Sequence, residues 1–400
     1  MSSGAISVTL AVTHAPYQKT LAPALVREGM LRRVLKSNPG YEILEPAADG
    51  SLEVVQRFPA RSYANNIFWR AKRRLPKAVS PDWPEAAAIW LIDRFWAGWV
   101  PASTIFHNSR GSHLASLRAA KRLGAITLLE NAGRHVRHWN DAHLEEYRRF
   151  GVNPRDQSLP WLPRTVGHVE LEYAFCDRIV VPSQLAHRSL SEFGLGEKTI
   201  VVAPGVDAEF FSPPPERVER PLFRVCFVAR VDLTKGAGYL LQAWKKLALP
   251  NAELVLVGAP RPEIHPLLRT YADSSVRVTG YLAARDLAQL YRDSDLFVLP
   301  SVNEGLAQVF LEAMASGLPI VGSDYSGADE LITGAKEGFV VPVRDVDRLA
   351  EAILWSYQHR DELRGMGRAA RERIESNFTL EHYNRRMIAV YREVAGAVVR

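Results

Sequence analysis

Glu304 and Glu312 stand eight residues apart in the stretch NEGLAQVFLEAMASG, and their types and spacing could serve the chemistry of a binding site. Glu304 belongs to a loop, whereas Glu312 lies about two turns into the helix that follows, roughly 9 Å from the helix start. Free amides of Gly305, Leu306 and Ala307 could hold a phosphate there, and Glu312 could accept hydrogen bonds from ribose hydroxyls. Glu304 would then face whatever lies beyond the phosphate. The alternative is a helix-capping acid followed by an acid on an exposed helix face.

Two cations precede this stretch in VARVDLTKGAGYLLQAW, where Arg230 and Lys235 flank a short loop. A strand ends at Ala229 and a helix begins near Gly236, so the cations lie at the mouth of a parallel sheet. Cations beside the helix start at Gly236 form a natural diphosphate site. Surface charge on an ordinary strand-to-helix loop is the alternative for the pair taken alone.

Short β-rich runs alternate with helical patterns through almost the whole chain, and these elements must position the charged loops. Apolar strands separated by helices predict parallel sheets covered on both faces, whose ligands bind at the carboxyl ends of the strands. The predicted fold class is therefore α/β. The predicted strands are ISVTLAVT, STIFHNS, AITLLE, RIVVPS, FRVCFVAR, AELVLVG, VRVTG, DLFVLPS, LPIVGSD and GFVVPV.

A domain boundary is predicted near residues 201–221, because VVAPGVDAEFFSPPPERVERP is rich in proline and charge and precedes a fresh strand. The length of 400 residues favours two or three domains. The last stretch, TLEHYNRRMIAVYREVAGAVVR, has the pattern of one amphipathic helix. We expect two similar α/β domains with a cleft between them.

The composition is that of an ordinary globular protein, with 47% hydrophobic and 24% charged residues. Cys176 and Cys226 form neither a pair motif nor a metal-ligand spacing, which is typical of a reducing cytoplasm. The first apolar run, AISVTLAVTH, has no basic flank and predicts a strand rather than a signal peptide. Because no apolar stretch approaches the roughly 20 residues that span a bilayer, we expect a cytoplasmic protein.

Basic residues and tryptophans concentrate between residues 57 and 99. The stretch from Arg57 to Lys77 has seven basic residues and no acidic one, although the net charge of the whole chain is only +6. One interpretation is a solvated basic face beside aromatic core residues. The other is a patch that binds anionic lipid headgroups and holds the protein at the inner face of the cytoplasmic membrane. Binding to nucleic acid is not expected, because no recognition motif supports it.

The second half of the chain resembles the retaining glycosyltransferases of family 4. The resemblance rests on EGLAQVFLEAMASGLPIVGSD and on the order of PSQLAHRSL, VVAPGVDAEFFSP, VARVDLTKGAGYLLQAW, LVLVG, VTGYL and DLFVLPS before it. It covers roughly residues 165–400 and implies the GT-B fold, in which two Rossmann-like, doubly wound domains face each other across a cleft. Residues 1–200 would bind the acceptor and residues 201–380 the nucleotide sugar, and residues 381–400 would form a helix that crosses back to the N-terminal domain.

The same resemblance implies roles for the charged residues. Arg230 and Lys235 would hold the diphosphate of the donor, Glu304 would meet the donor sugar, and Glu312 would hold the ribose. The amides of residues 305–307 would complete the phosphate site.

No metal and no cofactor are expected. Metal-dependent transferases hold a divalent ion on the diphosphate with acidic pairs, and DSD (293–295) and DVD (345–347) have that spacing. However, the first leads directly into a strand and the second starts a helix, where aspartate is an ordinary cap. Arg230 and Lys235 would supply the positive charge instead, and the nucleotide-diphosphate sugar would be a co-substrate.

The N-terminal half departs from the family pattern, since no glycine pair follows its first strand and Glu130 stands where a histidine often ends a later strand. LLENAGRHVRHWNDAHLEEYRRFG is similar to a subgroup in which a strand ends in glutamate and a histidine follows five residues later, before a helix with Glu-Glu-Tyr. This similarity implies that Glu130 and His135 line the cleft and contact the donor sugar or the acceptor. It also makes Glu145 and Glu146 candidates, for which a solvated helix face is the favoured interpretation.

Histidines offer further candidates for the cleft. His14 and His107 end neighbouring strands, so either could enter it, although a lone histidine is more often a structural residue. His135, His138 and His143 lie close together in the sequence, but no tight ligand spacing on one helix face supports a metal site.

The favoured function is a retaining, metal-independent glycosyltransferase of the hexosyltransferase type. It would move a sugar from a UDP- or GDP-linked donor to a saccharide or lipid-linked acceptor in polysaccharide or glycoconjugate biosynthesis. Retention in this family is usually explained by front-face attack, with a donor phosphate oxygen taking the acceptor proton. A sugar-nucleotide epimerase of the same fold and an inactive GT-B protein that binds a glycan or membrane partner are the alternatives.

Overall fold

The computed structural model describes residues 6–12, 18–36, 53–56, 90–91, 93–111, 113–153, 162–214 and 221–398. These residues form two parallel β-sheets with helices between successive strands, which confirms the α/β class. We call the first sheet and its helices the N-terminal domain, and the second sheet and its helices the C-terminal domain.

The sheet of the N-terminal domain has seven described strands in the order β3-β2-β1-β4-β5-β6-β7, and all its ladders are parallel. The strands are β1 (Val8–Val12), β2 (Leu31–Lys36), β3 (Glu53–Gln56), β4 (Ile105–Ser109), β5 (Ile126–Glu130), β6 (Arg178–Val181) and β7 (Thr199–Val201). The helices are α1 (Gln18–Arg27), α2 (Leu114–Arg122), α3 (Val136–Arg149), α4 (Leu162–Phe175) and α5 (Gln184–Ser191).

The sheet of the C-terminal domain has six described strands in the order β10-β9-β8-β11-β12-β13, again parallel throughout. The strands are β8 (Phe223–Val228), β9 (Ala252–Val257), β10 (Val276–Gly280), β11 (Leu296–Leu299), β12 (Ile320–Ser323) and β13 (Gly338–Val341). The helices are α6 (Ala237–Leu247), α7 (His265–Tyr271), α8 (Ala284–Arg292), α9 (Gln308–Ala315), α10 (Val346–Gln358) and α11 (Arg360–Asn377).

Helices cover both faces of each sheet, which explains why the strands read as apolar runs without alternation. All four residues of β11 and all four of β12 are buried. In β5, Leu128 and Leu129 belong to two different apolar clusters, because successive side chains of a strand point to opposite faces. Cys176 and Cys226 are buried, unpaired thiols within these cores.

The last helix, α12 (Leu380–Val398), returns to the N-terminal domain. It contacts α1, and its Met387 and Tyr391 join an apolar cluster with Leu10 of β1 and Leu21 of α1. The chain between β7 and β8 therefore runs from the N-terminal to the C-terminal domain, and α12 returns to the N-terminal domain.

The basic, tryptophan-rich segment falls mostly outside the described residues, since residues 57–89 and 92 are not among them. In its described part Trp96 is buried, whereas Trp90 and Trp99 are about half exposed. Among the described helices, none has the length and apolar character needed to cross a membrane.

Candidate active site at the contact between the two domains

The centre of the C-terminal sheet brings two charged loops together. β8 and β11 are neighbours there, and the strand order reverses between them, so the loops that follow them diverge and leave a crevice. Arg230 and Lys235 lie in the loop after β8, and Glu304 lies in the loop after β11. Strand order therefore places residues that are about 70 positions apart in the sequence at one edge of the sheet.

The charges of this crevice are paired with one another. Lys235 forms an ion pair with Glu304, whose carboxylate also accepts a hydrogen bond from Ser301 Oγ at 3.0 Å. Asp232 accepts a hydrogen bond from the Lys235 amide at 2.8 Å and lies 3.1 Å from Arg230. Both cations are thus oriented by a carboxylate at the mouth of the sheet. Two cations and two anions within one loop pair form a polar site suited to a charged, polyhydroxylated ligand.

Gly236 explains how the helix α6 can start so close to β11. Its φ of +78° is in the left-handed region, and a Cβ at this position would collide with the carbonyl of Pro300. Only glycine allows this approach, which places the N-terminus of α6 against the end of β11. The backbone geometry, rather than a side chain, is what this position contributes.

The start of the two-glutamate stretch lies against the N-terminal domain. A Cβ on Gly305 would be 2.5 Å from the carbonyl oxygen of Ala132 and 2.7 Å from Pro182. Ser183 Oγ donates a hydrogen bond to the Gly305 carbonyl at 2.7 Å. Glycine at 305 therefore sets how closely the two domains approach at the site.

The expectation of free amides through residues 305–307 was wrong for Ala307. Its amide donates to the carbonyl of Ser326 at 3.3 Å, because the chain after β12 folds back over this loop. Gly327 packs against Leu306 in the same contact. The backbone before α9 is therefore held from the side opposite the N-terminal domain.

Glu312 lies in α9 in a mostly apolar setting. Burial raises the pKa of its carboxyl from 4.5 to about 7, and the hydrogen bond from Tyr291 Oη at 3.1 Å opposes that rise. The carboxyl is only partly exposed, so it is not the charge of a solvated helix face. Its role as a partner for ribose hydroxyls remains a prediction.

Glu130 and His107 lie together, but in the packing beneath α12. His107 is 3% exposed, and its Nδ1 is 2.6 Å from Tyr391 Oη of α12. Its Nε2 is 3.4 Å from a carboxylate oxygen of Glu130, which is 6% exposed. The idea that His107 enters the cleft is wrong, because its position in β4 points to the sheet face that α12 covers.

His135 is a buried N-cap of α3 rather than an open ligand. Its Nδ1 accepts from the Arg137 amide, its ring stacks on Phe193 with centroids 3.8 Å apart, and its own amide donates to Ser189 Oγ. Burial lowers the pKa of His135 from 6.5 to about 4, so the ring is neutral at physiological pH. A contact of this ring with donor or acceptor stays a prediction.

Arg134, which the sequence reasoning missed, does reach the crevice. One Nη atom lies 3.4 Å from Asn303 Oδ1, and the guanidinium carbon lies 4.4 Å above the ring of Tyr325. Arg134 is buried, and both partners belong to the C-terminal domain. The available signal was its place in the loop after β5, at a carboxyl strand end where ligands of parallel sheets bind.

Glu146 forms the second polar contact between the domains. Its carboxylate accepts hydrogen bonds from Tyr239 Oη at 2.7 Å and Arg344 Nε at 2.6 Å, and it is fully buried. The favoured interpretation of Glu146 as a solvated residue was therefore wrong. Glu145 does lie on the surface, where it pairs with Arg148.

The comparison with protein families agrees with this site. Residues 223–359, which contain both cations and both glutamates, match the family model described as Glycosyl transferases group 1. These residues form a glycosyl transferases group 1 domain. The match confirms the resemblance to a glycosyl transferases group 1 domain over these residues.

Two bacterial proteins are among the curated relatives of this chain. The putative colanic acid biosynthesis glycosyltransferase WcaL of Escherichia coli is 29% identical over 206 residues, which is 48% of this chain and 51% of that protein. The GDP-mannose-dependent alpha-(1-6)-phosphatidylinositol monomannoside mannosyltransferase of Mycobacterium tuberculosis is 32% identical over 219 residues, 50% of this chain and 57% of that protein. The chain thus spans about half the length of the curated relatives it matches.

Solved structures extend the likeness to both domains. Sucrose-phosphate synthase from Thermosynechococcus elongatus has a TM-score of 0.70 at 19% identity, and the match covers 98% of this chain and 100% of that one. Anabaena HepE in complex with UDP-glucose has a TM-score of 0.65 at 15% identity, covering 97% and 100%. At these identities the likeness shows the fold alone. The fold is GT-B, as the resemblance implied.

The two acidic pairs at 293–295 and 345–347, within the group 1 domain, have structural partners. Asp295 is held by the Arg224 amide and the Arg360 side chain, and Asp345 caps α10 by accepting from the Arg348 amide. In the part of the chain that the structure describes, no group of three or more His, Cys, Asp or Glu residues could hold a metal ion. His14 lies outside the described residues.

Proposed function

We propose that this protein is a retaining glycosyltransferase that moves a sugar from a UDP- or GDP-linked donor to a saccharide or lipid-linked acceptor. The observation that carries the proposal is the Lys235–Glu304 ion pair beside Arg230, at the point of the C-terminal sheet where nucleotides bind in doubly wound folds. The N-terminal domain contacts the same loop at Gly305, so an acceptor held by that domain would meet the donor sugar there.

In this reaction the protein mainly stabilises negative charge and positions the two substrates. The bond between the anomeric carbon and the β-phosphate oxygen breaks, and a bond from that carbon to the acceptor oxygen forms on the same face. The acceptor proton passes to an oxygen of the departing diphosphate. Arg230 and Lys235 stabilise the negative charge that develops on the diphosphate, in a site oriented before the reaction. Glu304 accepts hydrogen bonds from the donor sugar, and Glu312 accepts them from the ribose.

Two classes of donor are candidates, GDP-linked sugars and UDP-linked sugars. The mycobacterial relative is named for GDP-mannose, whereas the Anabaena structure contains UDP-glucose. The sequence match to the first covers about half of each chain, and the second shares only 15% identity. Both nucleotides therefore belong in the first screen.

A thermal-shift screen of UDP, GDP, ADP and their sugars, each with and without EDTA, tests the proposal. A ligand that binds only the folded state raises the midpoint of unfolding, so one nucleoside diphosphate should stand out. Turnover of the matching nucleotide sugar should then persist in EDTA, because Arg230 and Lys235 replace the metal charge. Activity that EDTA abolishes and magnesium restores would refute metal independence. An isomerised donor formed without acceptor would identify an epimerase instead, and binding without turnover of any donor would favour an inactive binding protein.

We also propose that the protein works at the inner face of the cytoplasmic membrane, through the basic, tryptophan-rich segment. Trp90 and Trp99 are exposed at its described end, and the guanidinium of Arg94 lies 4.6 Å from the Trp90 ring centroid. Tryptophan and basic residues together favour a lipid headgroup surface. Co-sedimentation with anionic but not neutral vesicles, weakened by salt, is the expected result. Absence of binding to anionic vesicles at low salt would contradict it.

A further inference from the structure

Arg134 is a buried cation without a paired carboxylate among the residues that the structure describes. It is 9% exposed, and its Nε has no hydrogen-bond partner among the described residues. Within the same residues no Asp or Glu lies within ion-pair distance of its guanidinium, although Glu192 and Asp324 are near enough to favour its charged form. A buried, unpaired guanidinium is costly, so its presence at a polar crevice points to a negative charge supplied by a ligand.

Its contacts leave the guanidinium available for such a ligand. The face of the guanidinium lies on Tyr325, which leaves the N–H groups at its edge. Two of these groups make long hydrogen bonds, at 3.4 Å to Asn303 and 3.3 Å to His138. A phosphate oxygen would form a shorter, charge-assisted bond in place of the one to Asn303. Asn303 directly precedes Glu304, so the guanidinium lies beside the loop that carries the Lys235–Glu304 pair.

Two residues of the N-terminal domain orient Arg134. A guanidinium only donates, so the His138 Nδ1 atom at 3.3 Å must be an unprotonated acceptor. The remaining proton of the neutral ring is then on Nε2, which lies 3.0 Å from a carboxylate oxygen of Glu192. Burial and then the charge of Arg134 lower the pKa of His138, whereas Glu192 and Asp141 raise it. His138 therefore stays neutral at physiological pH and works as a positioning residue.

The backbone of the loop after β5 is held equally firmly. Arg110 donates to the Arg134 carbonyl at 3.1 Å and to Asn131 Oδ1 at 2.5 Å. The Asn131 amide group donates in turn to the Gly133 carbonyl at 2.5 Å. The loop is thus anchored to its own domain, while its tip at Ala132 presses on Gly305. The contacts of Arg134 with Asn303 and Tyr325 require that the two domains meet.

We propose that Arg134 is a third cation of the donor site, contributed by the N-terminal domain, which binds the diphosphate of the nucleotide sugar. Arg230 and Lys235 bind the diphosphate from the C-terminal domain, and Arg134 completes the charge when the domains meet. The full stabilisation of the leaving group is thereby tied to the domain contact that also presents the acceptor. This inference rests on the proposed function, because it takes the diphosphate of a nucleotide sugar as the ligand.

The test compares the intact protein with Arg134→Ala, Arg134→Lys and the control Arg148→Ala, which changes an exposed arginine of α3. Calorimetry would measure the affinity of each for the nucleoside diphosphate found in the screen and for the nucleoside without phosphates. Arg134→Ala should weaken the diphosphate about 10- to 100-fold, as expected for a lost charge-assisted hydrogen bond, and leave the nucleoside unchanged. Arg134→Lys keeps the charge but not the planar fork, so it should fall in between. Arg148→Ala should match the wild type.

Turnover separates the diphosphate role from an acceptor role. Loss of Arg134 should lower kcat together with the diphosphate affinity, because the leaving group carries more charge in the transition state. A raised acceptor KM with unchanged diphosphate affinity would assign Arg134 to the acceptor and overturn the inference. If Arg134→Ala unfolds, Arg134→Lys and its binding constants decide the question in the same way.

The positioning residues offer an independent readout. His138→Gln keeps an acceptor for Arg134 and a donor for Glu192, so it should retain most of kcat/KM, whereas His138→Ala should lose several-fold. Equal activity of the two variants would remove the positioning role. A wild-type protein that binds no nucleoside diphosphate would refute the proposed function and this inference together. Diphosphate binding that Arg134→Ala leaves within threefold of the wild type would refute the inference alone.

Discussion

The loops at the carboxyl ends of the two sheets hold their charges differently. In the C-terminal domain, Lys235 pairs with Glu304 and Arg230 pairs with Asp232, so the cations are oriented by residues of their own domain. In the N-terminal domain, the guanidinium of Arg134 has no ion-pair partner among the described residues and lies on side chains of the other domain.

The same difference holds for buried carboxylates. Glu146 extends from α3 of the N-terminal domain, and both of its hydrogen-bond donors, Tyr239 and Arg344, belong to the C-terminal domain. Arg230 and Lys235 are thus paired within their own domain, whereas Arg134 and Glu146 have polar partners across the contact. The C-terminal domain therefore holds Arg230 and Lys235 in place by itself, and the N-terminal domain adds Arg134 where the two domains meet.

Loss of Lys235 tests the charges that are paired within the C-terminal domain, and it should have the largest effect on turnover. Lys235→Ala leaves the Glu304 carboxylate unpaired beside the donor phosphates, so turnover should fall by about 10²- to 10⁴-fold with little change in the unfolding midpoint. Lys245→Ala, on the exposed side of the helix α6 that follows the loop of Lys235, is the matched control. A near-normal kcat for Lys235→Ala would remove the diphosphate assignment.

A methyl group added at Gly305 tests whether activity requires the contact between the two domains. Gly305→Ala would place its Cβ 2.5 Å from the Ala132 carbonyl oxygen, so the domains must move apart. We expect kcat/KM to fall about 100-fold, because small displacements of reacting groups are costly. Gly167→Ala is the control, since nothing lies within 4 Å of a Cβ there. If both variants keep wild-type kcat/KM, the contact at 305 is not needed for activity.

Loss of the buried carboxylate of Glu146 should lower the stability of the protein more than loss of the neighbouring carboxylate of Glu145. Glu146→Gln leaves Arg344 without its counter-charge, which should lower the free energy of unfolding by about 3 kcal/mol in urea denaturation. Glu145→Gln removes only the partly exposed ion pairs with Arg148 and Arg149 and should change the free energy of unfolding by less than about 0.5 kcal/mol. Equal losses for the two neighbours would show that the domain contact does not depend on Glu146.

The pH dependence of Glu312 should give the smallest effect. Its pKa of about 7 lies above the 4.5 of an unfolded glutamate, so its contribution to stability is complete below pH 4.5 and is lost as the pH rises through 7. The ionised carboxylate is the better acceptor for ribose hydroxyls, so nucleotide affinity should rise a few-fold between pH 6 and 8. Glu312→Gln should flatten both profiles, and unchanged profiles would contradict the assignment.

The C-terminal site could be predicted well from the sequence, because its residues lie in loops whose meeting follows from strand order. Arg230, Lys235 and Glu304 each lie in a loop that follows a strand of an α/β pattern, and strand ends of parallel sheets share one edge. The backbone contact of Ala307 with Ser326 could not be predicted, since it depends on how the chain after β12 folds back.

The contacts of the N-terminal residues were harder to predict from the sequence, because the side chains of neighbouring residues point in different directions. Arg134 faces the crevice while His135 packs on Phe193, and Glu146 is buried while Glu145 is exposed. Successive residues of a helix are about 100° apart, so an error of one position reverses which side chain meets the other domain.

The alternation of strands and helices, the parallel sheets and the strand ends at which the charges gather can all be predicted from the amino-acid sequence. These features follow from local patterns of apolar residues and from the geometry of parallel sheets. The side chains that join the two domains are set by tertiary contacts instead. Arg134 and Glu146 acquire their partners from residues 169 and 198 positions away, at Asn303 and Arg344, and no local pattern encodes such a contact.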